Sequence, residues 1–155
     1  MSKYTTAAIR SVALIGHGAA GKTSLAEALL QATGAIAACG SVDKGSTVCD
    51  FDPQEKEAGH SLNSAVVNFD YEDRHVHLLD TPGYPDFSGQ AIAALAGVDT
   101  AIIVVNAQTG IELMTERMMH HAAERKLCRM IVINKIDADN LDLPGLVADI
   151  RERFG

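Results

Sequence analysis

An eight-residue segment, GHGAAGKT at positions 16–23, sets the strongest restriction on how this chain can fold. It fits the pattern G-x-x-x-x-G-K-[ST] and lies between an apolar, strand-like run at 9–15 and a helix-like run at 25–30. Glycines let the backbone N–H groups of such a loop point at phosphate oxygens, and the helix N-terminus adds positive partial charge. The sequence therefore predicts a loop that holds a nucleoside triphosphate. The alternative, a glycine turn without ligand, is disfavoured because strand and helix are both in place.

Two side chains at the end of this loop supply the charge and the metal ligand that a triphosphate needs. Lys22 is expected to neutralise the β- and γ-phosphate oxygens, and the Thr23 hydroxyl to ligate Mg²⁺. The other loop positions expected to contact the nucleotide are His17, Gly18, Ala19, Ala20, Gly21 and Ser24.

Composition indicates one globular domain outside the membrane. The chain has 155 residues, 47% of them hydrophobic, which suffices for one sizeable core. No apolar stretch approaches the roughly 20 residues of a membrane span, and the N-terminus MSKYTTAAIR does not resemble a signal peptide, so a cytoplasmic protein is expected. The net charge of -7 disfavours broad nucleic-acid binding, and no binding to free DNA is expected.

The three cysteines do not predict a disulfide framework or a zinc site. Cys39, Cys49 and Cys128 are odd in number and lack C-x-x-C spacing. They are expected to be reduced thiols, with Cys128 preceding a strand as a packing residue.

Strand-like and helix-like patterns alternate along the chain. The expected strands are 11–15, 65–71, 76–79, 101–105 and 130–133, and the expected helices are 22–33, 87–96, 112–126 and 144–154. The short polar link at 71–75 predicts an antiparallel hairpin, whereas the other strands are separated by helices and should be parallel. This is a three-layer α/β fold with one antiparallel edge strand. Residues 40–62 show no period, and a loop of that length is usually functional or disordered.

A second motif, DTPG, follows the third expected strand directly. The Asp80 carboxylate at the strand end is expected to hold Mg²⁺, usually through water, and the Gly83 N–H to approach the γ-phosphate. Thr81 and Pro82 complete this segment and are expected to lie against the nucleotide. Alone, D-x-x-G is a weak signal, but its place one strand after a long loop strengthens it.

The fifth expected strand ends in NKID, a candidate base-recognition motif. Asp137 is expected to accept hydrogen bonds from guanine N1–H and its exocyclic amino group, which adenine cannot supply. Asn134 should tie this loop to the phosphate loop, and the Lys135 stem should cover the base. The alternative is an exposed polar turn in which Asp137 caps a helix.

The order GHGAAGKTS, DTPGYPDF and NKID resembles the GTPase domain of translational GTPases, most closely elongation factor G and its paralogues. The likeness extends through SVDKGSTVCDFDPQEKEAGHSLNSAVVNF and GIELMTERMMHHAAERKLCRMIVINKID, and so covers nearly the whole chain. It implies a P-loop NTPase G domain that binds GTP, GDP and Mg²⁺ and acts on the ribosome. It also implies that Ser61 matches the metal-ligating threonine of the first switch.

Four departures from the family pattern limit what the resemblance implies. Ala19 replaces an acidic residue of the phosphate loop, and Ala58 replaces an arginine before the switch glycine. Tyr84 stands where the family has a histidine that positions the attacking water; its neutral phenol can orient water but is a poor general base. With Lys22, it is the candidate catalytic residue. The chain ends at Gly155, so a partial G domain that stops before the sixth strand and the later domains of a longer protein is expected.

Three functions remain open from the sequence. The first is a GTP-hydrolysing, ribosome-associated factor. The second is a GTP-binding regulatory module with little hydrolysis, which Ala19 and Tyr84 favour. The third is an unrelated phosphate-loop ATPase or small-molecule kinase, which NKID disfavours. The sequence does not indicate an oligomeric state.

Overall fold

The structure, a computed structural model, describes residues 4–155 as a single sheet covered on both faces by helices. The strands are β1 (Ile9–Gly16), β2 (Ala65–Tyr71), β3 (Arg74–Asp80), β4 (Thr100–Asn106) and β5 (Cys128–Asn134). The α-helices are α1 (Lys22–Ala32), α2 (Pro53–Ala58), α3 (Ser88–Ala94), α4 (Leu113–Glu124) and α5 (Leu143–Phe154).

The strand order is β2-β3-β1-β4-β5, with β2 antiparallel to β3 and every other pairing parallel. Sheet order places the carboxyl ends of β1, β3 and β4 side by side, and ligands of open α/β sheets bind at that edge. The register pairs Leu14 of β1 with Asp80 of β3. The predicted mostly parallel α/β architecture with one antiparallel edge strand is confirmed.

Two apolar clusters form the core, one on each face of the sheet. Successive residues of β1 point to opposite faces, so Ala13 and Ile15 belong to one cluster and Leu14 to the other. α1 contributes Ala26 and Leu30 to the Leu14 side, whereas α3 and α4 cover the other side. The result is a three-layer sandwich. None of its helices within residues 4–155 is long and apolar enough to cross a membrane.

Several element boundaries differ from the sequence-based expectation. β1 begins at Ile9, and the expected helix 87–96 is a short α3 flanked by 3-10 turns at Pro85–Phe87 and Leu95–Gly97. Cys128 is the exposed first residue of β5, so its assignment as a packing residue before the strand was wrong. β5 lies at one edge of the sheet within residues 4–155, and apolar patterning does not indicate which strand lies there.

The segment 40–62 contains a 3-10 turn at Val42–Lys44 and the helix α2, neither of which was predicted. Buried carboxylates hold it in place. Glu27 Oε2 accepts a hydrogen bond from Gly40 N at 2.7 Å and its Oε1 accepts one from Val48 N at 2.6 Å. Glu55 Oε1 accepts bonds from the backbone N–H groups of Leu62 and Asn63 at 2.9 and 3.0 Å. These hydrogen bonds hold the segment where periodic apolar contacts are lacking. The hydrophobic pattern therefore did not predict the 3-10 turn and the helix.

Candidate functional site

The phosphate loop connects β1 to α1 and has a backbone that requires glycine at two places. Gly16 and Gly21 have φ of 135° and 93°. A Cβ on Gly16 would overlap the Val104 carbonyl, and one on Gly21 would overlap the Asn134 amide. Ala19 also adopts a left-handed conformation, with φ of 57°. The loop is therefore packed against its neighbours and shaped by its glycines.

Lys22 is the first residue of α1, and its side chain is buried against the phosphate loop. Its Nζ donates hydrogen bonds to the carbonyl oxygens of His17 and Gly16 at 2.7 and 3.2 Å. Burial lowers the pKa of Lys22 to about 8, and the nearby carboxylates of Asp80 and Glu112 oppose that shift. A desolvated cation of this kind gains strongly from an anionic ligand.

Asp80 lies at the end of β3 and is almost fully buried. Its Oδ2 accepts a 2.7 Å hydrogen bond from Thr23 Oγ1, whereas no residue in the described part of the chain bonds its Oδ1. Burial raises the pKa of Asp80 to about 6, and the neighbouring Asp50 adds to the rise, while Thr23 and Lys22 oppose it. An unsatisfied buried carboxylate oxygen is costly, and a metal ion or a metal-bound water would satisfy it. The site therefore fits Mg²⁺.

Ser61 approaches the same place from the segment after α2. Its Oγ lies 3.3 Å from Thr23 Oγ1 and donates a 2.7 Å hydrogen bond to Asp50 Oδ1. Asp50 is buried, and its Oδ2 accepts a 3.0 Å bond from Thr47 Oγ1. Sequence reasoning missed Asp50, because a carboxylate within an aperiodic segment carries no signal by itself. Hydroxyl and carboxylate oxygens are the ligand types that Mg²⁺ prefers.

The candidate Mg²⁺ site depends on hydroxyl groups as well as on carboxylates. Between residues 4 and 155 there is no group of three or more His, Cys, Asp or Glu side chains arranged to hold a metal ion. The two hydroxyls of Thr23 and Ser61 complete the oxygen set instead. Such a mixture suits Mg²⁺, which also keeps waters and binds substrate phosphates.

A cavity of about 240 Å³ opens in front of these groups. Many of the predicted site residues line it: Gly18, Ala19, Gly21, Lys22, Thr23, Ser24, Ser61, Thr81, Gly83, Tyr84 and Lys135. His60, Val42, Asp43 and Asp50 also line it and were not predicted. The Thr81 hydroxyl is already used internally, because it donates to the Leu14 carbonyl at 2.7 Å.

His17, Ala20, Asp80 and Pro82 do not line the cavity. His17 turns its Nε2 toward Glu112, with 3.5 Å between Nε2 and Oε1. The backbone carbonyls of His17 and Ala20 are instead bonded by Lys22 and Asn134. His17 and Ala20 thus contact neighbouring site residues through their backbone carbonyls.

The NKID segment reaches the phosphate loop through one side chain. Asn134 Nδ2 donates a 2.9 Å hydrogen bond to the Ala20 carbonyl. Lys135 follows with φ of 58° and lines the cavity, in a turn closed by Ala138 N on the Lys135 carbonyl. Asp137 is exposed and does not line the cavity.

An aromatic pair covers one side of the cavity. The ring centroids of His60 and Tyr84 lie 4.6 Å apart at an interplanar angle of 55°. The Tyr84 ring also lies against the phosphate loop, because a Cβ on Gly18 would come within 2.8 Å of Tyr84 Cζ. The pair therefore joins the segment before β2, the segment after β3 and the phosphate loop.

Known proteins resemble this chain along nearly its whole length. The model of the elongation factor Tu GTP binding domain matches residues 7–155. The chain is 37% identical over 146 residues to tetracycline resistance protein TetO of Streptococcus mutans, covering 94% of this chain and 23% of that protein. It is 35% identical over 147 residues to mitochondrial ribosome-releasing factor 2 of Culex quinquefasciatus, covering 95% and 20%.

A solved structure shares the same fold. A crystal structure of a protein from Thermus thermophilus superposes with a TM-score of 0.90 at 40% identity, covering 94% of this chain and 22% of that one. The chain thus spans about a fifth to a quarter of the length of the relatives it matches. With a match to the family model over residues 7–155, the chain belongs to the elongation factor Tu GTP binding domain family.

Proposed function

We propose that this chain binds GTP and GDP together with Mg²⁺ and hydrolyses GTP, as the nucleotide-binding part of a ribosome-associated translation factor similar to elongation factor G. The observation that carries the proposal is the meeting of Lys22, Thr23 and Ser61 around one cavity, with the buried Asp80 carboxylate hydrogen-bonded to Thr23 beside it. These groups come from three separate segments, and each matches a chemical need of a metal-bound triphosphate.

Binding of the triphosphate replaces hydrogen bonds that the site residues make with one another. Lys22 gives up the carbonyls of Gly16 and His17 for the β- and γ-phosphate oxygens, which are stronger acceptors for its buried ammonium. Thr23 and Ser61 would supply hydroxyl oxygens to hold Mg²⁺, and Asp80 and Asp50 would supply carboxylate oxygens beside them. Mg²⁺ supplies neutralisation of the charge that develops on the phosphates.

Base selection is assigned to the segment after β5. Asp137 is solvent-exposed and thus available to accept two hydrogen bonds from guanine. Asn134 fixes the segment to the phosphate loop, and the aliphatic stem of Lys135 covers the base plane. A base without matching donors leaves the Asp137 carboxylate unpaired, which disfavours adenine.

The ribosome is the proposed partner. One relative is named as a ribosome-releasing factor and another as a tetracycline resistance protein, and the resemblance to elongation factor G covers nearly the whole chain. The cytoplasm is the proposed location, although one relative is named as mitochondrial. A GTP-binding regulatory module with little hydrolysis is the second candidate. Tyr84 and Ala19 favour it, since the family resemblance implies a histidine and an acidic residue at these two positions.

Titration and single-turnover kinetics test the proposal. In the protein that carries this chain, GTP and GDP should bind in the presence of Mg²⁺ much more tightly than ATP, as measured by calorimetry. Ribosomes should then accelerate hydrolysis of bound GTP. Equal affinity for ATP and GTP would contradict the guanine assignment, whereas tight GTP binding without ribosome-stimulated hydrolysis would favour the regulatory module.

A further inference from the structure

His60 brings an imidazole to the side of the cavity where Tyr84 lies, and sequence reasoning did not anticipate it. The residue immediately precedes Ser61, which shares the metal-binding region with Thr23. Its ring is half-buried, lines the cavity and lies 4.6 Å from the Tyr84 ring. Any segment movement that brings Ser61 to the metal therefore carries His60 with it.

The hydrogen bonding of His60 defines the role of each ring nitrogen. Nδ1 lies 3.3 Å from the Ser61 carbonyl oxygen. A carbonyl oxygen only accepts, so this contact is a hydrogen bond only when Nδ1 carries the proton. In the neutral ring, Nε2 then carries the lone pair and can accept a hydrogen bond. Within residues 4–155, His60 forms a hydrogen bond through Nδ1 and none through Nε2.

Tyr84 complements this acceptor with a donor. Its hydroxyl forms no hydrogen bond with any residue that the structure describes, and its ring is held between His60 and the phosphate loop. A phenol donates readily but is a poor base at neutral pH. The two rings together therefore offer one free acceptor and one free donor beside the same cavity.

We infer that His60, rather than Tyr84 alone, positions the water that attacks the γ-phosphate, with Tyr84 holding the His60 ring in place. The inference rests on the proposed GTP hydrolysis and deepens it. Nε2 of His60 accepts a hydrogen bond from the water and so aims an oxygen lone pair at phosphorus. The imidazole that the family has after DTPG is thus supplied here by the segment before β2, from a position next to Tyr84.

The hydrolysis step balances without a further reactant. The water oxygen forms a bond to the γ-phosphorus as the bond between that phosphorus and the β–γ bridging oxygen breaks. GDP leaves with the electron pair of the broken bond, and the water proton passes to the phosphate product or to solvent. His60 is unchanged at the end, so orientation of the water is its contribution.

Gly18 is part of the same arrangement. The Tyr84 ring occupies the space where a side chain at position 18 would begin, with Tyr84 Cζ, Cε1 and Cε2 2.8 to 3.1 Å from an added Cβ. A larger residue there would push the Tyr84 ring away from the loop and disturb its contact with His60. Glycine at position 18 and tyrosine at position 84 are therefore matched in shape.

Two substitutions at position 60 separate water positioning from simple ring packing. His60→Phe keeps an aromatic ring against Tyr84 but has no acceptor, whereas His60→Gln keeps an acceptor but loses the ring. With saturating ribosomes under single-turnover conditions, His60→Phe should lower the rate of GTP hydrolysis about 100-fold, and His60→Gln by about tenfold or less. His120→Phe, an exposed position on α4, is the matched control and should leave the rate unchanged.

Binding measurements distinguish water positioning from a structural role, because a structural defect would weaken binding of all the ligands alike. His60→Phe should bind GDP and a nonhydrolysable GTP analogue like the parent, but should bind GDP with aluminium fluoride, a mimic of the transition state, much more weakly. In combination with His60→Phe, Tyr84→Phe should cost little further rate, because Tyr84 acts through the His60 ring and that ring has already lost its acceptor.

The possible outcomes distinguish this inference from the proposed function. If His60→Phe hydrolyses GTP as fast as the parent while His60→Gln is slow, His60 acts only as a packing ring and the inference fails. Equal loss of aluminium fluoride and GDP binding would also overturn it, since that result describes general damage. Failure of the parent itself to bind GTP would instead contradict the proposed function.

Discussion

Thr23 Oγ1 and Ser61 Oγ lie 3.3 Å apart, and each hydroxyl has already committed its single proton to a carboxylate. Thr23 donates to Asp80 and Ser61 donates to Asp50, each at 2.7 Å. The two oxygens therefore face one another with lone pairs, an arrangement that a cation between them would stabilise. Adjacent ligands of octahedral Mg²⁺ are about 2.9 Å apart, so only a small adjustment is needed.

Removal of one of these hydroxyls should weaken metal binding. Ser61→Ala should reduce the affinity for Mg²⁺ in the presence of a nonhydrolysable GTP analogue by about tenfold or more, because one direct ligand is lost. Ser61→Thr keeps the hydroxyl and should bind Mg²⁺ like the parent. The Mg²⁺ affinity of each variant is measured by following nucleotide release as Mg²⁺ is titrated. Identical affinities for Ser61→Ala and the parent would show that Ser61 is not a metal ligand.

Nucleotide binding should depend on Lys22. Lys22→Ala should weaken binding of Mg²⁺–GTP by at least about 100-fold, since a charge-assisted hydrogen bond at a buried site contributes about 1.5–3 kcal/mol or more. Arg117→Ala removes the same charge from an exposed position on α4 and should bind normally. Calorimetry compares the three proteins, and unchanged affinity in Lys22→Ala would rule out the phosphate-loop assignment.

Asp137 should determine the choice of base. Asp137→Asn should shift preference from guanine toward xanthine, because its amide donates where xanthine has a 2-oxo group. The measurement is the ratio of the XTP and GTP dissociation constants in parent and variant, and the ratio should fall by about 100-fold or more. Asp139→Asn, two positions further on, changes the charge equally and serves as the control. The same ratio in Asp137→Asn and parent would show that the carboxylate does not contact the base.

The buried carboxyl of Asp80 should destabilise the nucleotide-free protein at neutral pH. Its pKa rises from a usual 3.8 to about 6 in the fold, so the folded state keeps a proton that the unfolded state has lost between these values. The stability of the fold with a protonated Asp80 is fully present below pH 4. It is lost as pH rises to about 6, because the carboxylate form is disfavoured by burial.

Asp80→Asn should therefore raise the free energy of unfolding at pH 7 by on the order of 1–3 kcal/mol, and at about pH 3.5 by almost nothing. The measurements are denaturant titrations in EDTA, which remove metal from both proteins. Asp99→Asn, an exposed position before β4, is the control and should show no such difference between the two pH values. An equal gain at both pH values would show that the amide acts by packing and not by charge.

Gly18 and Tyr84 should be energetically coupled. Gly18→Ala should destabilise the protein by about 1–3 kcal/mol because the added Cβ meets the Tyr84 ring. In a Tyr84→Ala background the same change should cost much less. Gly89→Ala in α3 is the control, because no described residue lies within 4 Å of its added Cβ. This change should stabilise the protein by about 0.5–1 kcal/mol. Additive effects of Gly18→Ala and Tyr84→Ala in denaturant unfolding would contradict the contact.

Sequence alone determined the order of the elements and the motifs at their ends. Period-two apolar runs and intervening helical periods are local properties, so the mostly parallel sheet and the hairpin of β2 and β3 could be predicted from neighbouring residues. The motif GHGAAGKT predicts Lys22 and Thr23 as site residues for the same reason, since the whole pattern is contained within eight neighbouring positions.

Only the tertiary structure decided what those motifs meet. Asp50, His60 and Glu27 lie in or against a segment without apolar period, and their positions follow from buried polar contacts between residues far apart in the chain. A carboxylate that bonds two backbone N–H groups across a loop leaves no periodic trace in the sequence. The spacing of Thr23 Oγ1 and Ser61 Oγ, and the aromatic pair beside them, likewise exist only because the fold brings three separate segments to one edge of the sheet.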